Sequence, residues 1–116
     1  MDYLKLLENL ENDLDISNSE FGTVKFFRKD IVSVWVWFVI LISYYKKTKV
    51  TSEIILNTIP KEYASRVTIF RLLDDAVKKK YFTKEIDIND KRKFIISPTN
   101  ITIEEFEKWS LIFRGF

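Results

Sequence analysis

The chain has 116 residues, a formal net charge of +2 at pH 7, and neither cysteine nor histidine. Its length suits one domain, and a hydrophobic share of 47% is enough to fill a core. The missing residue types exclude disulfides, thiol chemistry, a histidine-based triad and the usual zinc sites. We therefore predict no catalytic residues, no metal and no cofactor, and a fold rich in helix because glycine and proline are scarce.

The first predicted element is an amphipathic helix near the N-terminus. Its apolar residues recur at helical spacing: Tyr3, Leu4, Leu7, Leu10 and Leu14. Such a short helix is unstable alone in water, so it needs a partner surface. We interpret residues 1–20 as a dimerisation arm and residues 16–23 as a loop.

An uncharged, strongly apolar run covers residues 31–45. It predicts a helix that begins near Phe26 or Asp30 and ends near Tyr45. The run is shorter than the roughly 18–20 residues that cross a bilayer, so we predict a buried central helix and no membrane contact. Its aromatic residues are interpreted as core or dimer-interface residues: Trp35, Trp37, Phe38, Tyr44 and Tyr45.

The third predicted helix is short and follows a connector over residues 48–50. Thr51 is a suitable N-cap, because a threonine hydroxyl accepts from the first free backbone N–H groups. Ile54, Ile55 and Ile59 are expected to face inward. Pro60 disfavours helical geometry at the residue before it and ends the helix.

A fourth helix is predicted after a turn over residues 61–64, with Ser65 as its N-cap and its end near Lys80. Helical periodicity separates two faces. The apolar face comprises Ile69, Phe70, Leu73, Ala76 and Val77, and the polar face comprises Thr68, Arg71, Asp75, Lys78 and Lys79. Asp75 either accepts from a cytosine amino group or pairs with Lys79, and we favour the pair.

Two β-prone runs over residues 81–88 and 93–97 flank a polar turn, which predicts a hairpin that ends at Pro98. Thr102 and Glu105 match a capping box at the start of a final helix, residues 101–116, which is expected to stop near Gly115. The apolar stripe predicted for this helix comprises Ile103, Phe106, Ser110 and Phe113, with Trp109 beside it.

The order helix, helix, turn, helix, hairpin is that of a winged helix-turn-helix, a mainly α fold with a small β-hairpin wing (α+β). In this fold one helix enters the major groove of DNA, while basic residues of the turn and wing contact phosphates. Acidic residues concentrate in residues 1–20, so the middle of the chain is basic, which favours a polyanionic partner. The predicted DNA-binding residues are Lys61, Ser65, Arg66, Thr68, Arg71, Lys91, Arg92 and Lys93.

The sequence resembles the MarR-like winged-helix regulators over about residues 32–106. The matching segments are residues 65–68 at the start of the recognition helix, residues 76–82, the wing residues 90–92 and residues 97–99. The resemblance implies that Arg92 enters the minor groove and that Asp90 stabilises the wing. The chain departs from the family at Lys80 and Tyr81, where a glycine is common, and in having one short C-terminal helix.

These observations favour a single-domain, homodimeric transcription regulator that binds double-stranded DNA. The winged-helix body would cover residues 30–98, and the protein would be cytoplasmic and associated with the nucleoid. The predicted dimerisation residues are Leu4, Leu7, Leu10, Leu14, Phe106 and Phe113. A small-molecule effector is compatible with the sequence but not indicated by it. The alternatives are a winged-helix protein-interaction module and a phage or plasmid replication accessory protein.

Overall fold

The computed structural model describes residues 2–113. Its α-helices are α1 (Tyr3–Leu14), α2 (Gly22–Phe27), α3 (Ile31–Lys46), α4 (Ser52–Thr58), α5 (Arg66–Lys78) and α6 (Asn100–Trp109). Its strands are β1 (Val50–Thr51), β2 (Phe82–Ile86) and β3 (Phe94–Pro98), and two 3-10 helices cover Ile16–Asn18 and Ser110–Phe113. The final α-helix ends at Trp109 and so is shorter than the helix predicted over residues 101–116; the end expected near Gly115 lies outside the described residues.

Side-chain N-caps explain where three helices begin: the caps predicted at Thr51 and Ser65 are confirmed, and Asp30, one of the two predicted start points of the central helix, provides a third. The Asp30 carboxylate accepts from the Ser33 N–H at 2.8 Å, so α3 begins at Ile31 rather than near Phe26. Thr51 and Ser65 cap α4 and α5 in the same way, accepting from N–H groups three residues ahead at 3.3 and 3.2 Å. Each cap lies within one turn of the helix that it starts, which is why Thr51 and Ser65 could be predicted as caps from the sequence.

Helix α2 was not predicted, because part of it was assigned to the loop over residues 16–23. Its N-cap residue, Phe21, offers no side-chain hydrogen bond. The cap comes instead from α6, where Glu105 Oε1 accepts from the Thr23 N–H at 3.1 Å and from the Thr23 hydroxyl at 2.7 Å. A partner 82 residues away leaves no local signal in the sequence.

The capping box predicted at Thr102 and Glu105 is wrong for a related reason. Helix α6 begins earlier, at Asn100, so Thr102 lies inside its first turn. The Thr102 hydroxyl donates to the Tyr81 carbonyl at 2.7 Å, and Glu105 caps α2. Both side chains therefore fasten α6 to neighbouring segments rather than closing its own first turn.

The core packs against α3, so the predicted buried central helix is confirmed on that face, whereas Ile31 and Ile42 of the same helix are 61% and 53% exposed. Trp37 is fully buried and stacks on Phe27 at a centroid distance of 5.7 Å, and Phe27 stacks on Phe82 at 5.0 Å. Ile55 and Ile59 are buried as predicted, but Ile54 is 47% exposed. Ile54 directly precedes Ile55, so a helix cannot turn both side chains to the same neighbour. Within residues 2–113, no helix is long and apolar enough to cross a membrane.

The predicted hairpin is present and forms part of a three-stranded antiparallel sheet in the order β1-β3-β2. In the hairpin, Phe82 pairs with Pro98 and Ile86 with Phe94. Strand β1, which was predicted to be a connector, pairs Val50 with Ile96. The sheet thus holds the base of the hairpin beside α3 and α4 and leaves the tip projecting.

Candidate nucleic-acid interface

Helices α4 and α5 form a helix-turn-helix unit that directs one face of α5 outward. The inner face is buried through Ile69, Leu72, Leu73 and Ala76, of which Leu72 was not predicted. The polar face is exposed as predicted, through Thr68, Arg71, Asp75, Lys78 and Lys79. Because the apolar face holds α5 against the core, the polar face has a fixed direction toward solvent.

Four of the predicted DNA-binding residues lie in the N-terminal half of α5 or at its N-cap, and they differ in their hydrogen-bond and ion-pair partners. The Ser65 and Thr68 hydroxyls lie 3.0 Å apart and form a hydrogen bond with each other. Arg66 forms an ion pair with Glu53 of α4 at 3.3 Å, while its side chain stays 62% exposed. Arg71 is exposed and has no acidic partner among the ion pairs found in residues 2–113. Arg71 is therefore the arginine of α5 that is freest to bind a ligand.

The other predicted cations belong to the turn before α5 and to the hairpin after it. Lys61 is exposed in the turn between α4 and α5. Lys91 and Arg92 are exposed at the tip of the hairpin, whereas Lys93 is partly buried. The turn and the hairpin tip thus present positive charge that does not belong to α5 itself.

The hairpin tip is stabilised by the pair that the family resemblance implied. The Asp90 carboxylate accepts from Arg92 Nε at 3.1 Å, from Arg92 Nη2 at 3.3 Å and from the Arg92 backbone N–H at 3.1 Å. The side-chain hydrogen bond from Arg92 lowers the pKa of the Asp90 carboxyl and raises the pKa of the guanidinium. The Arg92 side chain nevertheless remains 90% exposed, so it is oriented without being covered.

Lys84 was not among the predicted site residues, yet it connects the hairpin to α5. Its Nζ lies 3.6 Å from Asp74 Oδ1 and 4.1 Å from the centroid of the Phe94 ring. Strand alternation places Lys84 on the same face as the buried Phe82. That alternation is the sequence feature from which the direction of Lys84 could have been predicted. The ion pair helps to fix the distance between hairpin and α5, and hence between the two candidate contact surfaces.

The pairing favoured for Asp75 with Lys79 is absent from the ion pairs found in the described part of the chain. Lys79 Nζ instead lies 6.0 Å from the centroid of the Phe26 ring, and Lys29 Nζ lies 3.6 Å from the same centroid. Burial lowers the pKa of Lys29, and the charge of Asp75 opposes that shift. Asp75 thus partly neutralises the positive charge of Lys29 and Lys79 beside the C-terminal half of α5.

The predicted dimerisation residues lie in two neighbouring regions. Leu4, Leu7 and Leu14 of α1 are 69%, 62% and 73% exposed, whereas Leu10 is partly buried. Helix α1 is attached near its end by Asp13, which forms an ion pair with Arg28 and accepts from Trp109 Nε1 at 2.9 Å. That attachment orients α1 but leaves most of its apolar stripe in water.

Beside α1, an apolar groove of about 590 Å³ lies between α3 and the C-terminal segment. Phe106 and Phe113 line it together with five residues of α3: Phe38, Leu41, Ile42, Tyr45 and Lys46. Phe106 also packs edge-on against the buried Trp37 at 5.6 Å, so it belongs partly to the core of its own chain. Trp109 and Phe113 line both this groove and a pocket against Leu7 and Leu10 of α1, so the two apolar regions adjoin each other, and α3 is uncovered on the side of the groove.

The helix-turn-helix of α4 and α5, followed by the β2-β3 hairpin, defines the winged-helix class.

No protein-family model matches the sequence, and no curated protein sequence is significantly similar to it. Among solved structures, a point mutant of S. aureus MepR is similar with a TM-score of 0.64 and 16% identity, over 96% of this chain and 73% of that chain. S. aureus MepR bound to ethidium bromide gives 0.55 and 17%, over 97% and 76%.

A third similar structure is the transcriptional regulator Tm0710 from Thermotoga maritima, with a TM-score of 0.53 and 16% identity over 92% of this chain. This chain spans 63% of the length of Tm0710. Both MepR and Tm0710 are MarR-family regulators. The chain therefore has a MarR-like winged-helix fold, as the sequence resemblance implied.

Proposed function

We propose that this protein binds double-stranded DNA sequence-specifically, with α5 in the major groove and the β2-β3 wing on the adjacent backbone or minor groove. The observation that carries the proposal is the exposed face of α5 with Thr68 and Arg71, together with exposed Lys61 in the turn before α5 and exposed Arg92 in the hairpin after it. A helix fits the major groove, and cations beside it supply the sequence-independent affinity.

The contacts divide the candidate residues by role. Arg71 is exposed and has no acidic partner within residues 2–113, which suits a bidentate contact to guanine. Ser65, Arg66 and Thr68 lie at the end of the helix that enters the groove, where the Arg66–Glu53 pair can exchange for a phosphate contact.

The wing and the turn would supply the remaining contacts. Lys61, Lys91 and Lys93 are suited to phosphates, since a lysine ammonium is a point charge without bidentate geometry. Arg92, held by Asp90, suits the minor groove. These residues would raise the affinity for any sequence, whereas Arg71 would discriminate between sequences.

We further propose that the protein acts as a homodimeric transcription regulator in the cytoplasm, at the nucleoid, with residues 1–116 as one domain. The exposed leucines of α1 and the adjoining apolar groove offer a surface that a second copy can cover. A twofold dimer would present two α5 helices to successive major grooves, about 34–36 Å apart, and would suit a palindromic site.

Selection of bound duplexes from a random pool tests this proposal. We expect a palindromic consensus with two half-sites about one helical turn apart. The Arg71→Ala variant, as a matched control, should recover duplexes in which one position per half-site has lost its preference. Recovery of no duplex by the wild type would contradict DNA reading and would favour the protein-interaction module.

A further inference from the structure

Two isoleucines of the wing are exposed without a role in the core or in the apolar groove. Ile86 ends β2 and is 58% exposed, and Ile88, two residues farther along, is 89% exposed. A single exposed isoleucine is common and carries no meaning. Here, however, the more exposed one lies in the turn between β2 and β3, the same turn that carries the exposed Lys91 and Arg92.

The tip that carries Ile88 is held by hydrogen bonds within its own turn. The Asp87 N–H donates to the Lys93 carbonyl at 3.0 Å, which extends the β-ladder by one step. The Asn89 N–H donates to the Asp87 carboxylate at 2.9 Å, and the Lys93 N–H donates to the Asp90 carbonyl at 2.9 Å. Ile88 is therefore presented by a structured turn, so placing it against a ligand would cost little conformational entropy.

The face of β2 that carries Ile86 is directed toward α5. Successive side chains of a strand alternate between faces, so Phe82, Lys84 and Ile86 share one face of β2. Phe82 points into the core, and Lys84 reaches Asp74 of α5. The face that carries Ile86 is thus the face directed to the recognition helix, and Ile88 follows it beyond the end of β2.

We propose that Ile88 is an apolar wedge that enters the minor groove, partly unstacks one base step and bends the DNA. This inference rests on the proposed binding of duplex DNA. Apolar side chains such as isoleucine kink duplexes by about 20–90° when they enter between base pairs from the minor groove. Lys91 and Arg92 supply the charge that holds the wing there, and the negative charge of Asp90 is balanced by Arg92.

The wedge has a consequence for sequence preference. Pyrimidine–purine steps such as TA and CA unstack at the lowest cost. A preference for such a step therefore arises outside the bases that α5 reads, at the position where the wing tip meets the minor groove. Ile88 is in this way a specificity-determining residue that makes no hydrogen bond to a base.

The experiment uses a duplex recovered by the wild type from the random pool, with a donor and an acceptor dye at its ends. Energy transfer reports the bend, and 2-aminopurine at the expected step reports unstacking. The variants are Ile88→Ala, which removes the wedge, and Ile88→Leu, which keeps an apolar side chain of the same size. Ile101→Ala is the matched control, because Ile101 is 48% exposed on α6 rather than on the wing. Since Ile88 is 89% exposed, none of its variants should affect folding.

We expect the wild type, Ile88→Leu and Ile101→Ala to bend the duplex and to raise the 2-aminopurine fluorescence. Ile88→Ala should bind with little bend, with roughly tenfold lower affinity, and should lose the step preference in a repeated selection. The loss of affinity is modest because the variant no longer has to unstack the step. An unbent duplex under wild type, or a bend that Ile88→Ala retains, would overturn the wedge while leaving DNA reading intact. If the wild type recovers no duplex and a pull-down with the wing intact captures protein instead, both proposals fail.

Discussion

The contact between α6 and α2 gives a prediction whose magnitude follows from the geometry. Glu105 Oε1 accepts from the Thr23 N–H at 3.1 Å and from the Thr23 hydroxyl at 2.7 Å. Thr23 is completely buried, so the Glu105→Ala variant leaves two donors without a partner in the interior. The same substitution removes a negative charge from the N-terminal end of α2, where the helix dipole favours it.

A hydrogen bond to a charged group contributes about 1.5–3 kcal/mol to stability. The two bonds share one oxygen atom, so their contributions do not add fully, and we expect Glu105→Ala to lower the free energy of unfolding by about 2–3 kcal/mol. That loss is a large fraction of the roughly 5–15 kcal/mol that stabilise a protein. Glu105→Gln keeps an acceptor oxygen and should cost only about 1 kcal/mol.

Urea denaturation followed by circular dichroism measures these differences, with the midpoint shifting and the slope unchanged. Glu104→Ala is the matched control, because Glu104 is the exposed neighbour of Glu105 on α6. An exposed substitution of this kind should stay within about 0.5 kcal/mol of the wild type. If the Glu104 and Glu105 variants unfolded at the same urea concentration, the cap that α6 provides for α2 would be refuted.

Two further predictions concern the proposed DNA and dimer contacts. Arg71→Ala should lose about 1–3 kcal/mol of discrimination between specific and scrambled duplexes, whereas Arg92→Ala should weaken binding to both; equal behaviour of the two variants in a fluorescence anisotropy titration would contradict these roles. The double variant Leu7→Glu, Leu10→Glu should sediment as a monomer and bind DNA much more weakly, because it places charge in the apolar stripe of α1. Lys5→Glu changes the net charge by the same amount at an exposed position and should remain dimeric; a wild type that sediments as a monomer at micromolar concentration would refute the dimer.

The elements that the sequence predicted well are those whose determinants lie within one helical turn or one hairpin. Asp30, Thr51 and Ser65 each accept from an N–H group three residues ahead. The residues that determine the start of each of these helices are therefore close together in the sequence. The hairpin was likewise visible from two β-prone runs around a polar turn. The same locality explains why the exposed polar face of α5 was predicted correctly from periodicity alone.

The features that were missed depend on contacts between distant segments. Helix α2 relies on Glu105, and β1 exists because Val50 pairs with Ile96 of the hairpin. At the candidate site, Arg66 was predicted as a DNA-binding residue at the start of α5, whereas Lys84 was not predicted. Periodicity does not identify partners on other elements, so the ion pairs with Glu53 and Asp74 required the tertiary structure.

The dependence of duplex affinity on salt concentration tests the central claim most directly. If about six phosphates are neutralised per dimer, the logarithm of the association constant should fall against the logarithm of the salt concentration with a slope near −5. The measurement is an anisotropy titration of one labelled duplex at several salt concentrations, repeated with the corresponding single strand. We expect a steep slope for the duplex and weaker binding of the single strand. A flat salt response, or tighter binding of the single strand, would contradict a protein that reads duplex DNA with α5 and its wing.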